Sequence, residues 1–231
     1  MAYLTQNRVQ QGELARAYRQ AEALVQRRPD SAEARFTYAY VLRYAGRLND
    51  SARECDLALA LDPRNANFRS CAITFFELGK SDRALEFVKL DAGSEWAAGV
   101  LPAIRLRQGN EEEARKSARL MPKNPTWFPQ VIQGCLTARS GGELLPVIRS
   151  AEPALLALRD PELKYYQATI LAHCSRNELA LQLLRSAIEQ HYCAREALES
   201  DPLLAHLRQS PEFNAVREAA KTCQEKALSG G

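Results

Sequence analysis

The chain has 231 residues, with 31 basic against 28 acidic side chains and a formal net charge of +3 at neutral pH. That balance, mixed along the chain, supplies no basic stripe for nucleic acid and no pull towards an anionic membrane. No apolar run approaches the roughly 20 residues of a spanning helix, and Met1 to Gln6 lacks the charged and apolar regions of a signal peptide. Ala, Leu, Glu, Arg and Gln dominate, all strong helix formers, so an elongated, mostly helical, cytoplasmic protein is expected.

In chain order, Gly12, Gly46, Gly79 and Gly109 recur at intervals of 34, 33 and 30 residues, each with a small residue five positions on: Ala17, Ser51, Ala84 and Ala114. Pro29 and Pro63 each follow a glycine by 17 residues. A period near 34 is that of stacked helical hairpins. In the unit Ala32 to Asn65, Asp30 and Ser31 offer an N-cap and Tyr38, Val41, Leu42 and Ala45 fall at helical spacing. Gly46 then turns the chain, and a second helix starting near Leu48 runs to Pro63. The small residues Ser51 and Ala58 let the two helices approach closely. Units three and four are shortened at Asp91, Ala92 and Gly93 and at Met121, Pro122 and Lys123. Pro102, inside a helix expected between Ser94 and Gln108, predicts a kink or break. A degenerate unit from Thr126 to Asp160 turns at Gly141-Gly142, with a helix starting near Glu143 so that Pro146 sits in its first turn. Asp160 and Pro161 open a later unit in which Ser175 takes the glycine position, followed by Ala180 and Ala187.

This pattern resembles the tetratricopeptide repeat. The family places glycine or alanine midway along its first helix, which Ala39 and Ala72 match, alanine late in its second helix, which Ala58 matches, and a closing proline. Its common Trp near the repeat start is absent; Arg35 and Phe68 stand there. The resemblance implies an all-α, right-handed superhelix of about six hairpins over residues 1–190, degenerate over 91–160, with a capping segment over 191–231. In that cap, Tyr192-Cys193, Asp201-Pro202-Leu203-Leu204-Ala205, Leu207-Arg208 and Pro211-Glu212-Phe213 look like the end of tetratricopeptide regions in bacterial multidomain regulators such as membrane-linked serine/threonine kinases and cyclase-type proteins. The kinase motifs themselves are absent. Met1 falls inside the first helix of the first repeat, as expected of a regulatory fragment; a free-standing repeat protein with a short first helix is the alternative.

Six cysteines stand at 55, 71, 135, 174, 193 and 223 without a Cys-x-x-Cys pair. Several occupy apolar helix positions, where a reduced thiol acts as a small hydrophobe, and reduced structural cysteines are expected. His173-Cys174 and His191-x-Cys193 are poor zinc candidates, because neighbouring side chains on a helix diverge by about 100°. Glu111 to Glu113 is a charged helix start after Asn110. No metal, cofactor or catalytic group is expected.

Function then falls to the concave face. Registering on the glycines places Phe36, Tyr40, Arg43 and Tyr44 there from unit two, Arg69, Ile73 and Phe76 from unit three, and Trp96 and Arg107 from unit four. Later units add Phe128, Val131 and Arg139, then Tyr165, Tyr166 and His173. Aromatics and arginine are the residues most enriched at binding hot spots. The positions at which chaperone-binding family members carry lysine and asparagine hold Phe36, Tyr40, Arg69 and Ile73, so that carboxylate clamp is missing. The expected function is a non-catalytic scaffold for a protein or peptide partner. A regulatory module of a larger signalling enzyme is the alternative, and an RNA-binding repeat a weaker one, since it would need a basic stripe. The oligomeric state is not legible.

Overall fold

The computed structural model describes residues 5, 7–9, 11–121, 129–138 and 141–229. Thr5 and residues 7–9 are helical. Helices then follow at Leu14–Arg27 (α1), Ala32–Tyr44 (α2), Leu48–Leu61 (α3), Cys71–Glu77 (α4), Ser81–Val88 (α5), Glu95–Arg107 (α6) and Glu111–Arg119 (α7). The series continues with Pro129–Thr137 (α8), Gly141–Leu156 (α9), Pro161–His173 (α10), Asn177–Glu189 (α11), Arg195–Ser200 (α12) and Pro211–Ser229 (α13). Tight 3-10 turns cover Ala66–Ser70, Lys89–Asp91 and Pro202–Gln209. No strand occurs among the described residues.

Local chemistry sets these boundaries. Ser31 Oγ accepts from Ala34 N–H at 3.3 Å, and Ser94 Oγ accepts from Ala97 N–H at 3.0 Å. Asn110 caps α7, and Asp160 Oδ1 accepts from both Glu162 and Leu163 N–H. Each satisfies donors that the first turn leaves unpaired. The punctuating glycines lie in the left-handed region, with φ of 83°, 71°, 71° and 72° at Gly12, Gly46, Gly79 and Gly109, and Ser175 adopts the same conformation at 59°. Hairpin partners meet over small residues. Ser51 is fully buried, and its hydroxyl donates to Ala39 O at 2.7 Å and lies 2.9 Å from Thr74 Oγ1.

Three local expectations are corrected. The α6 helix is not broken at Pro102; it runs unbroken from Glu95 to Arg107. The Tyr166 hydroxyl donates to Gly99 O at 3.1 Å, giving a partner to a carbonyl in the turn that the proline disturbs. The α9 helix begins at Gly141, not near Glu143, so Pro146 and Pro153 both lie inside it. The cysteines are not reduced: Cys55–Cys71, Cys135–Cys174 and Cys193–Cys223 are disulfides, and no described cysteine is free. A packing argument sees a small apolar side chain at each position, and cannot see that two such positions face each other across a seam. The shortening at Pro122 and Lys123 lies outside the described residues.

The superhelix closes on itself. The α13 helix lies against both α11 and α1, α12 lies on α3, and the Pro202–Gln209 turn packs on α6 and α10. Cys193 N–H donates to Tyr44 O at 2.8 Å, and Gln224 Nε2 donates to Ala45 O and Gly46 O at 3.1 and 3.0 Å. One buried cluster therefore contains Val9 to Leu48 together with Tyr165 to Ala227, while a second, around Phe68, Phe75 and Phe87, fills the space between α3, α4, α5 and α6.

Two substitutions separate turn strain from closure. A Cβ on Gly46 would stand 2.9 Å from Arg195 N, whereas nothing lies within 4 Å of one on Gly109. Gly109→Ala is expected to cost about 1–2 kcal/mol in urea unfolding, the penalty of the left-handed conformation. Gly46→Ala is expected to cost about 1–3 kcal/mol more, because backbone must move. Equal losses would show that Gly46 is not held against the C-terminal segment. Ala58 and Ala84 are fully buried, so Ala58→Leu and Ala84→Leu should each lose about 1–3 kcal/mol by overpacking. An unchanged unfolding midpoint would reject the helix crossings given above.

Candidate functional site

Closure fills the deep part of the concave face. Arg43, Tyr44, Phe76 and Arg107, expected there as binding residues, are buried, with Arg43 fully inaccessible. Phe36, Tyr40, Arg69, Ile73 and Trp96 are only half-buried. The division follows position along the first helices of the hairpins: residues near their C-terminal ends are covered by α10 and by residues 192–208. Of the other expected positions, Val131 and Tyr165 are buried and Tyr166 and His173 half-buried. Phe128 and Arg139 lie outside the described residues.

The covered part holds a polar centre. Arg43 Nε donates to Glu162 Oε1 at 2.6 Å, and its Nη1 donates to Ser70 O at 3.1 Å while its guanidinium lies 5.0 Å from the Tyr40 ring. Arg107 Nη2 donates to Asp201 Oδ2 at 2.6 Å and to Thr169 Oγ1 at 3.0 Å, with its guanidinium 4.5 Å from the Phe76 ring. Both Arg107 and Asp201 side chains are wholly inaccessible. The Tyr192 hydroxyl lies 2.8 and 2.7 Å from the two Glu77 carboxyl oxygens, and Ser200 Oγ donates to Glu77 O at 2.7 Å. The Arg43–Glu162, Arg107–Asp201, Arg107–Thr169, Tyr192–Glu77 and Ser200–Glu77 bonds each join the first half of the chain to the second.

Charge in this centre is uneven until protonation is considered. Two guanidiniums face three carboxyls. Burial pushes the Glu77 carboxyl up to about 8, with Glu162 adding to the rise and Tyr192 and Arg43 opposing it. Glu77 is therefore mainly protonated at neutral pH, and the remaining charges balance. Burial also raises Glu162, against the pull of Arg43. Burial works against the charge on Arg43, but Glu162, Tyr192 and Tyr40 together outweigh it and its pKa rises. The sequence reading missed Glu77, Glu162, Tyr192 and Asp201 as partners. Only the cap signature, through Tyr192 and Asp201, carried a signal of them.

What stays open is a cleft of about 100 Å³ at the mouth, lined by Ile73, Phe76, Trp96, Val100, Ile132, Leu163 and Tyr166, with Asp160 and Glu162 on one side. Arg69 beside it is engaged, 3.1 Å from Asp91 and 5.6 Å from the Trp96 ring. A larger hollow lies elsewhere: about 890 Å³ between α1, α11 and α13, floored by Leu14, Ile188, Ala215 and Ala219 and rimmed by Arg16, Arg19, Arg185 and Lys226. Its alanine floor offers no deep anchor, so the smaller aromatic cleft is the better candidate. Among the described residues no cluster of His, Cys, Asp and Glu is placed to hold a metal, and Cys174 and Cys193 are tied up in disulfides. No described helix is long and apolar enough to cross a membrane.

No protein-family profile matches the chain, and no curated protein matches it. A solved structure does. The crystal structure of the APC/C hetero-tetramer Cut9-Hcn1 is similar at a TM-score of 0.61 and 15% identity, over 96% of this chain and 47% of that one. This fold is a tetratricopeptide-like helical repeat. The chain spans about half the length of that neighbour, and at this identity the likeness speaks for architecture alone.

The Glu77 carboxyl supplies a pH test. Its folded value of about 8 exceeds the ordinary 4.5, so its proton stabilises the fold fully below the lower value. That stabilisation is lost at about 1.4 kcal/mol per pH unit as pH rises towards the folded value. Between pH 5 and 8 the stability of Glu77→Gln should therefore rise relative to wild type in urea unfolding. Parallel curves would place an ionised Glu77 in the folded protein.

Proposed function

We propose that the chain is a non-catalytic interaction scaffold that captures a protein segment at the mouth of its concave face. The observation that carries this reading is the convergence of Ile73, Trp96, Leu163 and Tyr166, from α4, α6 and α10, on one cleft. A dry cavity of about 150 Å³ takes benzene, so one of about 100 Å³ suits a single aliphatic side chain. The flanking chemistry follows from which charges are spent. Arg43 and Arg69 are paired, whereas Asp160 is exposed beside the cleft. A partner with a leucine or methionine next to lysine or arginine fits that arrangement; an acidic neighbour, as two free arginines would have favoured, does not.

A second reading treats the chain as the regulatory module of a larger bacterial signalling protein of the kinase or cyclase type. It is favoured by the cap signature, whose Tyr192, Asp201, Leu204 and Phe213 are all fully buried and hold the closure. The two readings share the binding cleft and differ in what is attached to it.

A peptide panel tests the cleft. Peptides carrying Leu-Lys or Met-Arg should bind more tightly than those carrying Leu-Glu or Ala-Lys. Ile73→Ala with Trp96→Ala should weaken the best of them by about 2 kcal/mol, or roughly thirtyfold, with the unfolding midpoint measured alongside. Retained affinity in a stable double variant would reject the cleft. Protection from hydrogen exchange at Arg19 and Arg185 in its place would move the site to the larger hollow.

A further inference from the structure

The six cysteines form three bonds in strict sequential order, and each bond spans a seam between neighbouring elements. Cys55 in α3 joins Cys71 at the start of α4, Cys135 in α8 joins Cys174 at the end of α10, and Cys193 ahead of α12 joins Cys223 in α13. The Cα separations are 6.0, 5.7 and 5.2 Å, within the reach of a disulfide without backbone movement. No described cysteine is left over. Thiols kept only as small core residues would have no reason to meet in pairs, still less to meet in three pairs out of six residues. Cys55, Cys71 and Cys193 are fully buried, which suits permanent cross-links and not exchanging ones. The third bond sits at the closure itself: Cys193 N–H holds Tyr44 O, and Gln224, beside Cys223, holds Ala45 O and Gly46 O.

We propose that these pairs are oxidative modification sites and that the protein matures and works in an oxidising compartment, where its three disulfides persist. Such bonds are rare where glutathione and thioredoxin keep thiols reduced. Each bond forms as two thiols give up two protons and two electrons to the disulfide of a thiol oxidoreductase, which leaves as a dithiol. Three turns of that exchange complete the protein. The assignment displaces the cytoplasmic expectation drawn from the first residues of the chain, and it holds whichever reading of the binding cleft is right.

Thiol trapping in the source cells decides it. Cells are quenched in acid, the denatured full-length chain is alkylated before and after reduction, and its peptides are weighed. The expected result is no alkylation before reduction and three linked peptide pairs: 55 with 71, 135 with 174, and 193 with 223. Free thiols at these positions before reduction, or other pairings, would overturn the proposal. Thermal unfolding of the purified protein provides a second measurement. Reductant should lower Tm by about 5 °C or more, as expected for loss of loop cross-links in a chain of this size. The same Tm with fully reduced thiols would overturn the structural role.

Discussion

The contact on which the rest of the structure depends is Arg43 with Glu162. One residue sits near the end of the first helix of the second hairpin; the other opens α10, and 119 positions of sequence separate them. An open stack of hairpins has no use for such a bond, because each repeat needs only its neighbours. Here the charged pair brings α2 and α10 together across the concave side. Arg107 with Asp201 and Tyr192 with Glu77 then repeat the device at the levels of α6 and α4.

Burying these charges is not a cheap way to gain stability, since desolvation offsets most of the attraction. What such pairs do well is set register. A guanidinium buried without its carboxylate is a severe penalty, so a closure shifted by one turn would strand Arg43 and Arg107 together. Aromatic rings reinforce the same geometry. Tyr44 and Tyr165 both pack on Tyr192, with ring centres 5.0 and 5.4 Å apart, and the arginines lie over Tyr40 and Phe76. Burial, by raising Glu77 and favouring its protonated form, leaves Arg43 and Arg107 facing Glu162 and Asp201.

Closure changes what the fold can do. A superhelical stack offers a long inner surface to an extended peptide, and here the chain has used most of that surface on itself. The part that remains is short and anchored by Trp96 and Ile73. It is suited to one buried side chain and its neighbours rather than to a long segment. The disulfides act in the same sense, tying α3 to α4, α8 to the end of α10 and, within the cap, the segment before α12 to α13. The result is a preorganised fold, the kind that would lose little freedom if the proposed cleft takes a partner.

The repeat itself was written in the sequence by local chemistry. Only glycine enters the left-handed turn freely, a serine or aspartate side chain caps a helix start locally, and proline stops a helix, so Gly46, Ser31, Asp160 and Pro63 placed their elements without help from the rest of the chain. Ser175 in the glycine position and the small residues Ser51 and Ala58 were legible for the same reason. The proline helices were not, because whether a helix runs through Pro102, Pro146 or Pro153 is set by the packing around it and not by the proline alone. The same limit applied to the concave face. Register on the glycines groups Arg43, Tyr44, Phe76 and Arg107 on one side, and the structure buries all four. Whether that side meets water, a partner or the chain's own C-terminal segment is a question of long-range contact, and a period of 34 residues carries no information about contacts 119 residues apart. Cysteine pairing belongs to this second kind as well: an apolar position is a property of one helix, and a disulfide is a property of two that tertiary packing has brought face to face.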